Sequence, residues 1–440
     1  MARTFYVENL GCAKNQVDAE TIIARLGEAG WACRDEPDGA ELILVNTCGF
    51  IEAAKRESLD TVFELRARFP AKKIILAGCL AQRYGGELLA GMPEISGVFG
   101  NRDLDRVVEA AQAAADGGRI LLIPEASVAG TGREARRTRR LSLPGAAYLK
   151  IGEGCANRCT YCAIPLIRGD LRSRAVEAVV EEARGLLDSG VLELTLIGQD
   201  IGSFGLDRGR AELAELLRAL GRLDGRFWVR LLYIHPDHFP REILPVLAGD
   251  PRFLPYFDLP FQHAAPSILT AMGRRPDAAA NLHLIEELRA ALPGAVVRST
   301  FLVGFPGESE ADFEALLDFQ AAARLDWLGV FAYSAEEGTP AYRLDRRLRV
   351  PKRAAAVRKR ELERRQEPIT AARLDRFVGR EMEVLLEEAV AGEPLCLARG
   401  PAHAPEVDGL VVVRGDGLAP PARRTVKIIR RNGVDLEALA

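Results

Sequence analysis

A chain of 440 residues exceeds what one hydrophobic core sustains, so two or three domains are expected. Its 48% apolar and 28% charged residues are those of a globular protein and exclude a disordered or fibrous one. The net charge of −3 excludes capture of nucleic acid by the overall field, and no apolar run approaches the roughly 18 to 20 residues that span a bilayer.

The N-terminus, MARTFYVENLGCAKNQ, has no apolar core of a signal peptide, and a cytoplasmic location is expected. Eight cysteines are too few for a disulfide scaffold and are unevenly clustered, which favours metal or redox chemistry.

Residues 1 to about 115 alternate short apolar runs with helical patterns: strands at Phe5–Leu10, Glu41–Asn46 and Lys72–Ala77, helices at Asp18–Ala29 and Ile51–Phe69. This alternation predicts an open parallel α/β domain over 1–115. A linker follows, VAGTGREARRTRRLSLPG, whose basic run Arg133 to Arg140 reads as a solvated connector or as a contact for a polyanion.

From Ala147 a second alternation begins, with strand-like runs AYLKI, ELTLIGQD, WVRLLYI, FDLPF, AVVRSTFLVGF and WLGVFAYS. Six such strands over 141–372 suggest a β/α barrel, complete or partial, or another open α/β sheet. A basic helical stretch, PKRAAAVRKRELERRQEPITAARLDRF, leads to short β runs spaced by Gly and Pro, a small all-β domain over 375–440.

The stretch GCANRCTYC places Cys155, Cys159 and Cys162 directly after the first strand of the second alternation, where α/β folds bind their ligands. Structural zinc wants four ligands, usually with paired C-x2-C spacing, and no histidine lies near this loop. An iron-sulfur cluster with one iron free of protein ligands suits the spacing better. Cys12, Cys48 and Cys79 each follow a predicted strand, and such loops converge at one edge of a parallel sheet, so a second three-thiol cluster is inferred there. Cys33 and Cys396 sit inside apolar alternation and read as core residues.

The C-x3-C-x2-C spacing with Tyr161 before the last cysteine resembles the signature of radical S-adenosylmethionine enzymes. LGCAKNQVDAE, NTCGFIEAA and AGCLAQRY resemble the N-terminal domain of the methylthiotransferases, and the terminal β runs resemble a TRAM module. The resemblance covers essentially the whole chain. It implies two 4Fe-4S clusters, held by Cys12, Cys48 and Cys79 and by Cys155, Cys159 and Cys162. It also implies S-adenosyl-L-methionine as cofactor, with Tyr161 near the adenine and Gly198, Gln199, Asp200 and Arg298 lining its site. A flavodoxin or ferredoxin is the implied kind of electron donor.

Within that family FDLPFQHAAPSILTAMGRR and VFAYSAEEGTPA resemble the branch that modifies a ribosomal protein. The tRNA-modifying branch usually carries Gln-Ser-Gly-Ser where this chain has Gln262, His263, Ala264 and Ala265. The implied reaction adds a methylthio group to the β-carbon of an aspartate in small-subunit ribosomal protein twelve. Residues 375–440 carry nine basic against eleven acidic residues, a balance better suited to a basic protein than to RNA. Residues 343–374 carry twelve basic against four acidic, which is either a solvated face or a local contact for ribosomal RNA. A tRNA adenosine methylthiotransferase and a non-enzymatic zinc-bearing ribosome- or RNA-binding factor remain the alternatives. His235 and His238 in HPDH lack an evident carboxylate in register and read as structural.

Overall fold

The computed structural model describes residues 2–125, 137, 139–344 and 346–440. The first sheet is built from β1 (Thr4–Asn9), β2 (Ala32–Cys33), β3 (Leu42–Thr47), β4 (Lys73–Ala77), β5 (Gly97–Phe99) and β6 (Ile120–Leu122). All pairings are parallel, in the order β2-β1-β3-β4-β5-β6. Successive side chains point to opposite faces. Leu42, Leu44 and Ile75 therefore pack under helices Ala13–Glu28 and Val107–Ala115, while Ile43, Val45 and Ile74 pack under Glu52–Arg68 and Gly78–Gly91. With both faces covered, β3 is buried along its whole length.

The helix expected from Asp18 begins at Ala13. Its first turns lack apolar periodicity because Asn15, Gln16 and Asp18 are buried in polar contacts.

The second sheet begins with β7 (Ala146–Lys150). A short antiparallel ribbon of β8 (Gly152–Glu153) and β9 (Arg172–Ser173) frames the following loop. The sheet continues through β10 (Glu193–Ile197), β11 (Trp228–Leu231), β12 (Phe253–Asp258), β13 (Val296–Val303) and β14 (Trp327–Ala332). These strands run parallel in the order β7-β10-β11-β12-β13-β14 without closing, so the barrel is partial. Leu149, Leu194, Leu196, Val229 and Phe257 face the surrounding helices.

The opposite face meets the third sheet, a closed barrel of β15 (Glu381–Ala389), β16 (Leu395–Arg399), β17 (Val411–Arg414), β18 (Ala422–Asn432) and β19 (Asp435–Leu439). Tyr148, Trp228, Tyr256 and Trp327 pack there against Leu385, Ala402 and Ala404. The contact also carries buried charge: Glu193 lies 2.7 Å from Arg230 and 3.0 Å from Arg399. Burial alone would raise the Glu193 carboxyl, but the two guanidiniums hold it at about 2.

The basic helix Lys352–Asp375 is only partly solvated. Ala355, Leu362, Gln366 and Thr370 are buried, and Gln366 and Thr370 donate to the Leu325 and Asp326 carbonyls. Most of the basic run 133–140 lies outside the described residues. Arg137, which is described, is buried and reaches Glu182 at 2.6 Å and Glu20, clamping the first sheet's helix to the second unit. Cys396 is buried in the terminal barrel, and Cys33 is half-buried on the short edge strand. Among the described residues no helix is long and apolar enough to cross a membrane.

Candidate active site: two facing cysteine triplets

β1, β3 and β4 are adjacent and parallel, so the loops at their carboxyl ends emerge side by side. Cys12 follows β1, Cys48 follows β3 directly, and Cys79 opens the helix after β4. The backbones there are in contact. A Cβ placed on Gly11 would stand 3.0 Å from the Cys48 Cβ, and one on Gly49 would stand 2.7 Å from the Leu80 backbone, just past Cys79. Only glycine allows these loops to approach so closely.

Asn15 ties the loops together: its Nδ2 donates to the Leu10 and Thr47 carbonyls, at 2.9 and 3.0 Å, and its Oδ1 lies 3.4 Å from the Cys79 Sγ. Burial pushes the Cys79 thiol up to about 12. Burial raises Cys12 as well, but Lys14 and Arg168 outweigh it and hold the thiol below its ordinary value.

In the second triplet the loop is fixed through its backbone. The Cys155 N–H donates to the Gly169 carbonyl at 3.2 Å, Thr160 N–H to Met272 at 3.0 Å, and Ala341 N–H to the Thr160 carbonyl at 2.9 Å. Burial raises Cys155 to about 11 and Cys162 to about 12, and each thiolate would further raise its neighbours.

The two triplets face each other. Cys79 packs on Ala163, the residue after Cys162, and on Ile167. Arg168, at the end of the short helix Ile164–Arg168, is buried between them. It donates to the Cys79 Sγ at 3.3 Å, Asn15 Oδ1 at 2.7 Å, Asp18 at 2.9 Å and Glu153 at 2.8 Å. Arg102 caps the same helix through the Leu166 and Ile167 carbonyls, and Arg83 reaches Glu336 beyond β14 at 2.6 Å. The carboxyl edges of both parallel sheets are thereby joined.

The remaining candidates divide. Gly198, Gln199 and Asp200 line a small cleft with Gly154 beneath the Cys155 loop, and Gln199 donates to Glu153 at 3.2 Å. Both Asp200 oxygens are already engaged. Oδ1 accepts from the Gly202 and His235 N–H groups, and Oδ2 lies against Asn157, Ser203 and His238 at 2.9, 2.6 and 2.7 Å. Asp200 therefore orders the loops after β10 and β11 and offers no free oxygen. Burial would raise it, but the hydrogen bond and charge of His238 hold it well below the carboxylate range.

His238 thus has the carboxylate partner that sequence did not reveal. Its ring stacks on His235, whose Nε2 lies 4.0 Å from the Cys159 Sγ. Burial lowers His235 to about 3. Tyr161 accepts from Arg274 at 3.0 Å and packs in an apolar pocket with Ala265, Ile268 and Met272. The guanidinium of Arg298, expected to line the cofactor site, lies 3.4 Å from both Asp258 and Asp408, at the contact with the terminal barrel.

Sequence reasoning missed Lys14, Asn15, Asp18, Glu153 and Arg168. Asn15 and Asp18 share one helix face by their i, i+3 spacing, which was the available signal. Among the described residues no three His, Cys, Asp or Glu side chains close on a single-ion site. Each triplet offers three thiols, the donor set of an iron-sulfur cluster with one iron free of protein ligands.

A cysteine loop at the carboxyl edge of a parallel partial barrel, facing a second thiol set, defines a radical S-adenosylmethionine enzyme. The "Radical SAM superfamily" model matches residues 149–319, "Uncharacterized protein family UPF0004" matches 4–100, and "TRAM domain" matches 378–440. The chain is 41% identical to the ribosomal protein uS12 methylthiotransferase RimO of Treponema denticola, across 98% of this chain and 99% of the relative. It is 44% identical to the enzyme of the same name from Moorella thermoacetica, across 96% and 95%. The chain belongs to the RimO methylthiotransferase family. In fold it is similar to the radical S-adenosylmethionine methyltransferase TsrM from Kitasatospora setae, with a TM-score of 0.56 at 17% identity over 78% of this chain and 77% of that one.

Proposed function

We propose that this enzyme transfers a methylthio group to the β-carbon of an aspartate in ribosomal protein uS12, using S-adenosyl-L-methionine and two 4Fe-4S clusters. The observation that carries the reading is the apposition of the two triplets, with Cys79 packed against the residue next to Cys162 and Arg168 bound to both loops. Cys155, Cys159 and Cys162 would hold the cluster of the partial barrel, and Cys12, Cys48 and Cys79 the other. When bound, the first supplies the electron that opens S-adenosylmethionine to a carbon radical, and the second supplies the sulfur.

The chain's own residues hold this arrangement. Asp200, with Asn157, Ser203 and His238, fixes the loops beside the triplet of Cys155, Cys159 and Cys162. Gly198 and Gln199 line the adjoining cleft, and Tyr161, braced by Arg274, closes the loop from the other side. Gly198, Gln199 and Tyr161 are the proposed S-adenosylmethionine contacts, with Asp200 shaping the site and Arg298 bracing its floor. The proposed domains are 1–115, 141–372 and 375–440; β6 (Ile120–Leu122) of the first sheet lies just past the first bound. The partners that follow are uS12, alone or in the ribosome, and a flavodoxin- or ferredoxin-like electron donor, in the cytoplasm.

The test compares two variants of anaerobically reconstituted protein. Cys155→Ala is expected to abolish reductive cleavage of S-adenosylmethionine, whereas Cys48→Ala abolishes methylthiolation and leaves that cleavage in place. Retained methylthiolation of uS12 in either variant, read by intact mass, overturns the division of roles. Methylthiolated adenosine in tRNA, with uS12 unmodified, overturns the substrate.

A further inference from the structure

Several cations in and beside the barrel have a close side-chain partner. Lys150 and Arg168 are shared by Asp18 and Glu153, at 2.5 to 2.9 Å. Arg298 lies 3.4 Å from both Asp258 and Asp408, and Arg274 is bound to Tyr161. Lys14 is the cation without such a partner. No described residue accepts a hydrogen bond from its ammonium or forms an ion pair with it; its Nζ lies 3.2 Å above the ring of Tyr233. The first turn of its helix carries no acidic residue either, and the anionic groups that act on it, Cys12, Asp258 and Glu153, do so through space without a hydrogen bond.

Tyr233 is held in a costly conformation to meet it. Its φ of 65° is in the left-handed region, an outlier for a bulky side chain and a mark of functional sites. It follows β11, on the barrel side, whereas Lys14 is two residues from Cys12, on the other side. The pair Lys14–Tyr233 thus joins the two halves of the reaction space. An aromatic face steers an ammonium without neutralising it, leaving its N–H groups free for an anion.

We propose that Lys14 is the substrate-recognition residue that binds the side-chain carboxylate of the target aspartate. This rests on the proposed reaction: the carbon to be thiolated is bonded to that carboxylate, so the acceptor carbon cannot approach Cys12, Cys48 and Cys79 without bringing an anion along. A carboxylate leaving water needs a charged donor, and Lys14 beside Cys12 supplies it. Tyr233 is the positioning residue that aims the ammonium.

The test uses reconstituted full-length enzyme and two peptides spanning the uS12 target loop, one with aspartate and one with asparagine in its place. The native enzyme is expected to modify the aspartate peptide and to prefer it by about tenfold to a hundredfold in kcat/KM, the range for one charge-assisted hydrogen bond. Lys14→Met should abolish that preference, with most of the loss on the aspartate peptide, and Lys14→Arg should restore part of it. Iron content and visible absorption of each variant report whether the cysteine sites remain loaded. A native enzyme that modifies neither peptide nor uS12 overturns the proposed function and this inference with it. A native enzyme that works, alongside a Lys14→Met variant that keeps the preference, overturns the inference alone. Equal loss on both peptides with loss of iron assigns Lys14 to the Cys12 site and also overturns it, as does a raised requirement for S-adenosylmethionine in peptide-free cleavage.

Discussion

The two cysteine triplets reach similar ends by opposite means. Cys155, Cys159 and Cys162 lie within eight residues on one loop, pinned by its own backbone hydrogen bonds to Gly169 and Met272. Cys12, Cys48 and Cys79 come from three strand ends and meet only because β1, β3 and β4 are parallel neighbours. A loop-built site depends on spacing along one segment and on the backbone that anchors it; a sheet-built site depends on register and on the close packing of Gly11 and Gly49. The first keeps its three thiols together along the chain and needs Met272 and Ala341 only to pin the loop, whereas the second exists only when the sheet does.

The largest test of this contrast disturbs each triplet separately. Cys159→Ala should lower reductive S-adenosylmethionine cleavage by more than about a thousandfold, because the radical step has no substitute in ordinary acid-base chemistry. Gly49→Val should act on the other triplet alone, driving the Cys48 and Cys79 loops apart. Expected is loss of about half the iron, with peptide-free cleavage retained; loss of iron from both sites would show that the triplets are not built independently.

Next in size is Arg168→Met, which strikes a side chain that binds Cys79 on one side and Glu153 on the other. It leaves Asp18 and Glu153 with only Lys150, and breaking such buried pairs costs about 3–5 kcal/mol. Denaturant unfolding should show the loss. Glu193→Gln is the counterpart away from the triplets, at the contact of β10 with the terminal barrel. It leaves Arg230 undercompensated while Arg399 keeps Glu387 at 2.6 Å, so about 2–3 kcal/mol is expected, with iron content unchanged.

The contrast also explains what could be read in advance. The loop triplet was legible from spacing alone. The dispersed one was legible because each thiol follows a strand and the strands alternate with helices, which fixes a common edge. Arg168 and Glu336 were not legible, since contacts between separately folded layers leave no periodic trace in either segment. The helix start at Ala13 was hidden for a related reason: Asn15 and Asp18 are buried by polar partners, and polar residues at the beginning of a helix read as a loop. For the same reason as Arg168 and Glu336, Arg298 was not legible as the partner of the terminal barrel's Asp408.

That last residue yields the smallest effect and the one with a definite pH signature. Burial pushes Asp408 up to about 6, against the pull of Arg298 and the hydrogen bond from Tyr256. A carboxyl raised in the folded state favours its protonated form, so its contribution to stability is fully present below the unfolded value and is lost as pH rises through about 6. Moving from pH 7 to pH 5 should therefore stabilise the docked terminal barrel by about 1 kcal/mol through this group. Glu193 moves in the opposite sense, but its window lies lower: held at about 2, it loses its contribution only below the usual carboxylate range. The difference in unfolding free energy between the native chain and Asp408→Asn, followed from pH 7 to 5, isolates the Asp408 term. A difference that stays flat across that interval would mean that Arg298 keeps Asp408 ionised, making the contact a permanent ion pair in place of a protonation-dependent one.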